Sequence, residues 1–305
     1  MHKTLVLLSF VTLLFSCHTK QVENKDSNPT EVFQDTVTVT TTASKPFVLK
    51  GTEVRQLSSS INQKSYELYV KLPSSYGKSK KSYPVLILTD SDYAFPLVTS
   101  ITRRLKLEEF ITVGISYSKG DWGTVSRTRD FTPTYSPNER RGHNKQAKLA
   151  SGKADDFVAF IKNDVFPFLE KNYRIDASKK VFAGHSFGGL FAGYVLVTQP
   201  ELFDYYLLGS PSFWYDKHCI HRFEAAYHNT HEELNAKVFF CIGEEEALLR
   251  TDMVTEMLDF EKILNSRNYK GLELRSEVIA DEDHQTVYPT FITRGLQYAF
   301  GKEHQ

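Results

Sequence analysis

Residues 184–188 read Gly184-His185-Ser186-Phe187-Gly188, with apolar Val181, Phe182 and Ala183 before them and Gly189, Leu190, Phe191, Ala192 and Gly193 after them. This order turns a strand into a helix so sharply that only glycine fits beside the central serine, the arrangement called a nucleophile elbow. The turn lifts the Ser186 hydroxyl above the sheet edge. It also aims the first amides of the new helix at the same spot, where an anionic oxygen would be stabilised. Ser186 is the expected nucleophile, and the Phe187 backbone N–H is one expected oxyanion donor. A glycine turn whose serine merely caps a helix would share the pentapeptide. The flanking strand, the flanking helix and the second glycine at position 189 favour the elbow.

The rest of the chain supplies the sheet that such a turn needs. Tyr66, Leu68, Val70 and Leu72 alternate with polar residues, as in an outer antiparallel strand. The runs 85–88, 110–115, 205–208, 238–242 and 272–279 are the other expected strands, several of them apolar enough to be buried on both faces. Helical spacing appears at 94–107, among Phe157, Phe160, Ile161, Val165 and Phe168 with a kink at Pro167, around Met253 to Leu264, and at 287–300. Alternating strands and helices over residues 46–305 predict one α/β domain of the α/β-hydrolase fold, a mostly parallel central sheet with helices on both faces. Residues 117–151 lack periodicity and carry Gly120, Gly123, Pro133, Pro137 and Gly142, so they read as a long loop at the substrate site.

A serine hydroxyl needs a base, and the base needs a carboxylate to hold its tautomer. In this fold the chain order is serine, acid, histidine. His284 follows the last strand and precedes the last helix, which makes it the expected base. The strand ending at Gly243 runs into Glu244, Glu245 and Glu246. Glu246 is the expected acid because the third position leaves room for the chain to turn back; Glu244 and Glu245 are the alternatives. Asp281 and Asp283 read as solvated charges. The second oxyanion amide belongs in the loop Thr89-Asp90-Ser91-Asp92-Tyr93, at Asp92 or its neighbour Ser91. Tyr93 of that loop joins the expected substrate-binding residues. The pairs His218/His221 and His228/His231 have metal-like spacing but no cysteine or carboxylate partner, so they read as a solvent-facing helix and no metal is expected. His185 reads as a packing residue of the elbow.

The N-terminus is a separate object. Lys3, an apolar stretch over 5–15 and then Ser16-Cys17 have the layout of a secretory signal too short to span a bilayer. Leu14-Phe15-Ser16-Cys17 resembles a bacterial lipobox, so residues 1–17 are expected to be a lipoprotein signal with Cys17 lipidated, which would place the protein in the bacterial cell envelope. Residues 18–45 are polar and read as a flexible tether with a reach of roughly 30 Å. A short edge strand at Val37-Thr38-Val39-Thr40 is the competing reading. Cys241, inside an apolar run, reads as a buried small hydrophobe, and no disulfide framework is indicated. With 37 basic and 37 acidic side chains, nothing marks a nucleic-acid partner.

The domain resembles the esterase family of α/β-hydrolases that includes enterochelin and bacillibactin esterase-like enzymes, S-formylglutathione hydrolase, feruloyl and acetyl-xylan esterases, and mycolyltransferases. The stretches that carry the likeness are Tyr83 to Asp90, Arg127-Thr128-Arg129-Asp130-Phe131-Thr132-Pro133, Ala183 to Leu190, Ser210-Pro211-Ser212-Phe213-Trp214, Gly243 to Glu246, and His284. The Arg-x-x-Asp-x-Thr-Pro and Ser-Pro-Ser-x-Trp patterns are most similar to the siderophore-esterase branch. The resemblance implies that Ser186, Glu246 and His284 hydrolyse a carboxylic or thioester bond without a cofactor, on a small-molecule or glycan-linked ester. It implies Arg129 as a substrate or oxyanion-side contact, against a structural pair with Asp130, and Trp214 as a pocket aromatic, against core packing. The alternatives in function are an acyltransferase of the same fold and a catalytically silent ligand-binding lipoprotein.

Overall fold

The computed structural model describes Ser44 and residues 46–248 and 252–302. The leader with Cys17, Val37 to Thr40 and nearly all of the expected tether lie outside the described residues. From Val48 onward the chain forms one compact unit. Eight strands build its sheet: β1 (Thr52–Ser58), β2 (Ser65–Lys71), β3 (Tyr83–Leu88), β4 (Ile111–Ile115), β5 (Ile175–His185), β6 (Tyr205–Gly209), β7 (Glu233–Gly243) and β8 (Lys270–Ile279). Their order is β1-β2-β4-β3-β5-β6-β7-β8. The β1/β2 and β2/β4 pairs are antiparallel and the other pairs are parallel. Exchange of β3 and β4 in this order, together with the elbow after β5, gives the α/β-hydrolase architecture.

Successive side chains of the buried strands serve opposite faces. Leu86, Leu88, Val181, Ala183, Leu207 and Phe239 pack with α1 (Ser91–Thr102) and α9 (Val287–Phe300). Val85, Ile87, Phe182, Leu208 and Phe240 belong to the larger core on the other face. That face carries α2 (Gly123–Phe131), α3 (Lys145–Ala150), α4 (Ala154–Phe160), α5 (Phe166–Asn172), α6 (Phe187–Leu196), α7 (Tyr215–His228) and α8 (Met253–Arg267). Cys219 and Cys241 are both buried as free thiols. Among the described residues, no helix is long and apolar enough to cross a membrane.

Three expectations need correction. The helix expected at 94–107 is α1, which starts at Ser91 because Asp90 turns the chain at φ 55° directly after β3. The segment 117–151 is not one loop but holds α2 and α3. The buried residues of α2 are Ser126, Thr128, Asp130 and Phe131, a mostly polar inner face that apolar periodicity cannot register. The bend expected at Pro167 takes the form of a π turn at Ile161–Val165 between α4 and α5, just ahead of a proline that cannot donate to the preceding turn.

Candidate active site

Every parallel strand points its C-terminal end at one edge of the sheet, and the singled-out residues gather there. Between β5 and α6, Ser186 sits at φ 61° and ψ −116°, a backbone conformation that side chains rarely adopt. Its neighbours leave no room for other residues: a Cβ on Gly184 would lie 2.3 Å from the Gly188 carbonyl oxygen, and one on Gly188 would lie 2.6 Å from Thr89 Oγ1. The Ser186 amide donates to the Gly209 carbonyl at 2.8 Å, which ties the elbow to β6. Ser186 Oγ lies 3.3 Å from Ser212 Oγ, its hydrogen-bond neighbour among the described residues. Phe187 is the first residue of α6, so no carbonyl of its own helix can accept its amide.

After Gly243 the chain enters a 3₁₀ turn, Glu244–Leu248, which points Glu244 and Glu245 at solvent and Glu246 inward, with 0% exposure. One oxygen of Glu246 accepts from the Ser210 hydroxyl at 2.6 Å and the Gly243 amide at 3.1 Å. The other receives His284 Nδ1 at 2.6 Å. A carboxylate held by three donors fixes the imidazole with its proton on Nδ1, leaving Nε2 free to take one. The two loops are joined by the Glu245 amide, which donates to the Glu282 carbonyl at 3.1 Å. Asp283 instead closes the turn ahead of α9: it accepts from the Gln285 and Thr286 amides at 2.7 and 2.8 Å, and these bonds lower its pKa.

His185 is buried, with its ring centroid 4.6 Å from that of His284 and 5.2 Å from that of Tyr288. Burial, reinforced by the nearby charges of His284 and Arg127, holds its pKa well below the ordinary imidazole value, so it is neutral and serves as packing for His284. Tyr93 closes this row at 6.1 Å from Tyr288, on the exposed rim.

On the other side of Ser186 stands a buried ion pair. Arg127 donates to both oxygens of Asp90, at 2.8 and 3.0 Å, and to the His185 carbonyl at 3.1 Å. Tyr117 adds its hydroxyl to Asp90 at 2.6 Å. Burial pulls the guanidinium pKa down, but the Asp90 charge outweighs it and the net shift is upward. The same guanidinium lies 5.3 Å from the Phe187 ring centroid, so Arg127 touches the residues on both sides of the nucleophile position. Asp92 occupies the first turn of α1, where its amide and that of Ser91 have no acceptor in their own helix. Its exposed carboxylate receives the Tyr117 amide at 2.7 Å.

Arg129, the arginine singled out from the sequence, is turned elsewhere. It donates to Asp130 from Nε and Nη2 (2.8 and 2.9 Å), to Asp121 from Nη1 (2.6 Å), and from Nη2 also to Tyr66, Ser118 and Ser126. Two residues apart on a helix is about 200° of rotation, so Arg127 faces the elbow and Arg129 faces β2. The expectation of a substrate contact at Arg129 is corrected accordingly. Trp214 is half-buried at 5.7 Å from the Phe187 ring, with Arg141 5.4 Å over its own ring, and it packs against the edge of the larger core. His143 meets Phe187 edge-on at 5.8 Å. Behind Trp214 the chain reverses through Asp216, Lys217 and His218, all three in the left-handed region. Contacts tie this turn down: Glu139 accepts the Asp216 amide, Arg222 pairs with the Asp216 carboxylate, and His218 pairs with Glu256. His228 ends α7, and His231 stacks on Tyr227.

Sequence reasoning missed Asp90, Arg127, Ser210, Ser212 and His143 as members of this edge. A signal existed for four of them, since the quoted Arg-x-x-Asp-x-Thr-Pro and Ser-Pro-Ser-x-Trp stretches and the loop after β3 contain them. Nothing in the sequence marks His143.

Comparisons with known proteins bear on the fold and the family. The family model described as "Putative esterase" matches residues 58–291. Ferri-bacillibactin esterase BesA of Bacillus subtilis is 28% identical over 268 residues, covering 84% of this chain and 92% of that protein. The siderophore enterobactin esterase of Emericella nidulans is 32% identical over 170 residues, covering 51% of this chain and 56% of the relative. Among solved structures, an IroE-like serine hydrolase from Shewanella oneidensis superposes with a TM-score of 0.71 at 26% identity, covering 81% of this chain and 79% of the other. A strand-ordered sheet, a strained serine at its elbow and a family match over most of the domain converge, and the chain belongs to the esterase family of α/β-hydrolases.

Proposed function

We propose that this protein is an envelope-anchored serine esterase that cleaves a siderophore-type ester. The observation that carries the mechanism is the 2.6 Å bond from His284 Nδ1 to the fully buried Glu246, on the same sheet edge as Ser186. Ser186 Oγ attacks the ester carbonyl carbon while its proton passes to His284 Nε2. Glu246 stabilises the imidazolium so formed. The carbonyl oxygen, now negative, is met by the Phe187 amide, by an α1 amide at Asp92 or Ser91, and by the charge of Arg127. Collapse expels the alcohol, which takes the proton back from His284. Water then repeats the sequence on the acyl-enzyme and frees the acid and Ser186.

The substrate class is supported by two facts. The relatives carry the names of esterases for bacillibactin and enterobactin. In addition, the rings of Phe187 and Trp214 lie beside Arg127, Arg141 and His143 next to the elbow, a setting suited to an aromatic, anionic acyl group. Turnover against a panel tests this: a tri-catecholate siderophore, a feruloyl ester, p-nitrophenyl acetate and butyrate, acetylated xylan and S-formylglutathione. The siderophore should show the highest kcat/KM. Preference for xylan or S-formylglutathione would reject the substrate class while leaving the mechanism standing.

Anchoring rests on the leader and Cys17. The full chain should pellet with membranes of a lipoprotein-processing bacterium and incorporate palmitate, and Cys17→Ser should do neither. Equal membrane association of both, without label, would reject the lipid anchor.

A further inference from the structure

A groove of about 780 Å³ opens at the end of the sheet opposite the catalytic loops. Strand register puts it there. Thr52 at the start of β1 pairs with Lys71 at the end of β2, and Lys71 pairs with Thr112 near the start of β4. The loops bearing Ser186, Glu246 and His284 leave the other ends of the parallel strands.

Lys50, Lys71 and Arg103 line the groove, with Leu72, Leu105 and Leu107 between them. Lys50 and Arg103 are exposed. Lys71 points its ammonium at the Lys50 carbonyl instead of a carboxylate, and burial together with the Arg103 charge lowers its pKa. The carboxylates at the groove, Glu108 and Glu109, are paired with Lys179 and Lys81. Three cations thus stand together without a counter-charge among the described residues, in a chain whose formal net charge is zero. Exposed Lys78, Lys80, Arg104 and Lys106 flank the lining segments in sequence. A patch of this kind attracts a surface of fixed negative charge.

We propose that this basic groove docks the domain on an anionic membrane surface, with its cations against lipid phosphates. Lys50 stands within three residues of the 1–47 segment that carries the leader and Cys17, so the chain's attachment and the basic groove share one end of the sheet. Docked in this way, the elbow faces away from the membrane and stays open to substrate in solution. The charge belongs to the folded domain, so docking stands independently of lipid on Cys17 and of the substrate assigned above.

The test uses the protein without residues 1–17, whose core clusters begin at Tyr66 and lie wholly in the retained chain. It is sedimented with vesicles of phosphatidylcholine alone or rich in phosphatidylglycerol. Binding should require phosphatidylglycerol and should fall at high salt. The Lys50→Gln/Arg103→Gln double variant should partition about 30-fold more weakly. Lys145→Gln/Lys262→Gln removes the same charge from exposed sites elsewhere and should stay within about twofold of the parent. Both variants should keep the parent's melting temperature and its turnover of a soluble ester. Equal binding to the two kinds of vesicle would overturn the proposal. So would equal losses in the two double variants, or release by millimolar inorganic phosphate, which would mark a site for soluble anions.

Discussion

The two flanks of Ser186 are built in different ways. On one flank, Glu246 and His284 stand a few residues past the ends of β7 and β8, and a single backbone bond between their loops sets the pair in place. On the other flank, Asp90, Arg127, His143 and Trp214 come from four separate segments; a buried ion pair joins the first two, and the other two rest on the Phe187 ring. The first flank inherits its geometry from sheet topology. The second depends on charge buried away from water, where losing one partner leaves the other stranded. Substitutions on the first flank should therefore abolish chemistry with the fold intact, and those at the Asp90–Arg127 pair on the second should damage both.

The largest effect expected is from Ser186→Ala or His284→Ala, on the order of a million-fold in kcat, with thermal unfolding little changed. Glu246→Ala should cost about ten-thousand-fold, since the acid orients and stabilises the imidazole without exchanging its own proton. A silent Glu246→Gln beside a crippled Glu245→Gln would move the acid and break the contrast.

Next come the two arginines of α2. Arg127→Ala should lower kcat by about 100-fold to 1,000-fold through loss of positive charge beside the oxyanion. It should also lose about 3–5 kcal/mol of stability by leaving Asp90 buried and unpaired. Arg127→Lys should not restore activity, because lysine cannot make the bidentate pair. Arg129→Ala should lose a similar amount of stability while the folded fraction keeps kcat within a few-fold. Equal kcat losses for the two would erase the distinction between the elbow face and the β2 face of α2.

A smaller effect is expected at the pocket wall. Trp214→Ala should raise KM for an aromatic ester roughly tenfold, from the lost ring contact, with kcat within about twofold. An unchanged KM ratio between aromatic and aliphatic esters would show that Trp214 is packing only.

The smallest effect is a pH dependence of stability. Burial lowers the pKa of His185, His143 and His221, most of all that of fully enclosed His185. The unfolded chain takes up protons at these positions below about pH 6.5, the ordinary imidazole value, and the folded chain takes them up only at lower pH. Their contribution to stability is complete above that pH and declines as pH falls below it. Melting temperature followed from pH 8 to pH 5 should show this decline, and His185→Gln should shallow it. A flat profile in the parent would contradict the lowered pKa of these rings.

The difference between the flanks also explains what could be read from residues alone. Strand ends announce themselves through apolar runs and glycines, so Ser186, Glu246 and His284 could be placed by chain order and distance from a strand. Arg127 and Arg129 are the same residue type two positions apart, and only the inward polar face of α2 tells them apart. That face is stabilised by pairing with Asp90, Asp121 and Asp130 and not by apolar burial, so it leaves no hydrophobic period. β1 went unseen for a related reason: as an edge strand it exposes Arg55 and Gln56 and lacks a buried apolar row. The start of α1 is expected too late because Asp90 begins the turn in a left-handed conformation, which aspartate adopts more readily than most residues but still only occasionally.

The left-handed turn at Asp216, Lys217 and His218 has a consequence for how such a protein can diversify. Three successive non-glycine residues in this region cost on the order of 1 kcal/mol each, and side-chain ties to Glu139, Arg222 and Glu256 hold them there. The segment is locally frustrated, whereas the sheet beneath it is consistent at every level. A replacement here that suits left-handed backbone, such as glycine at 217, removes strain as fast as it removes a side chain. Substitution can therefore reshape the segment behind Trp214 with little loss of global stability.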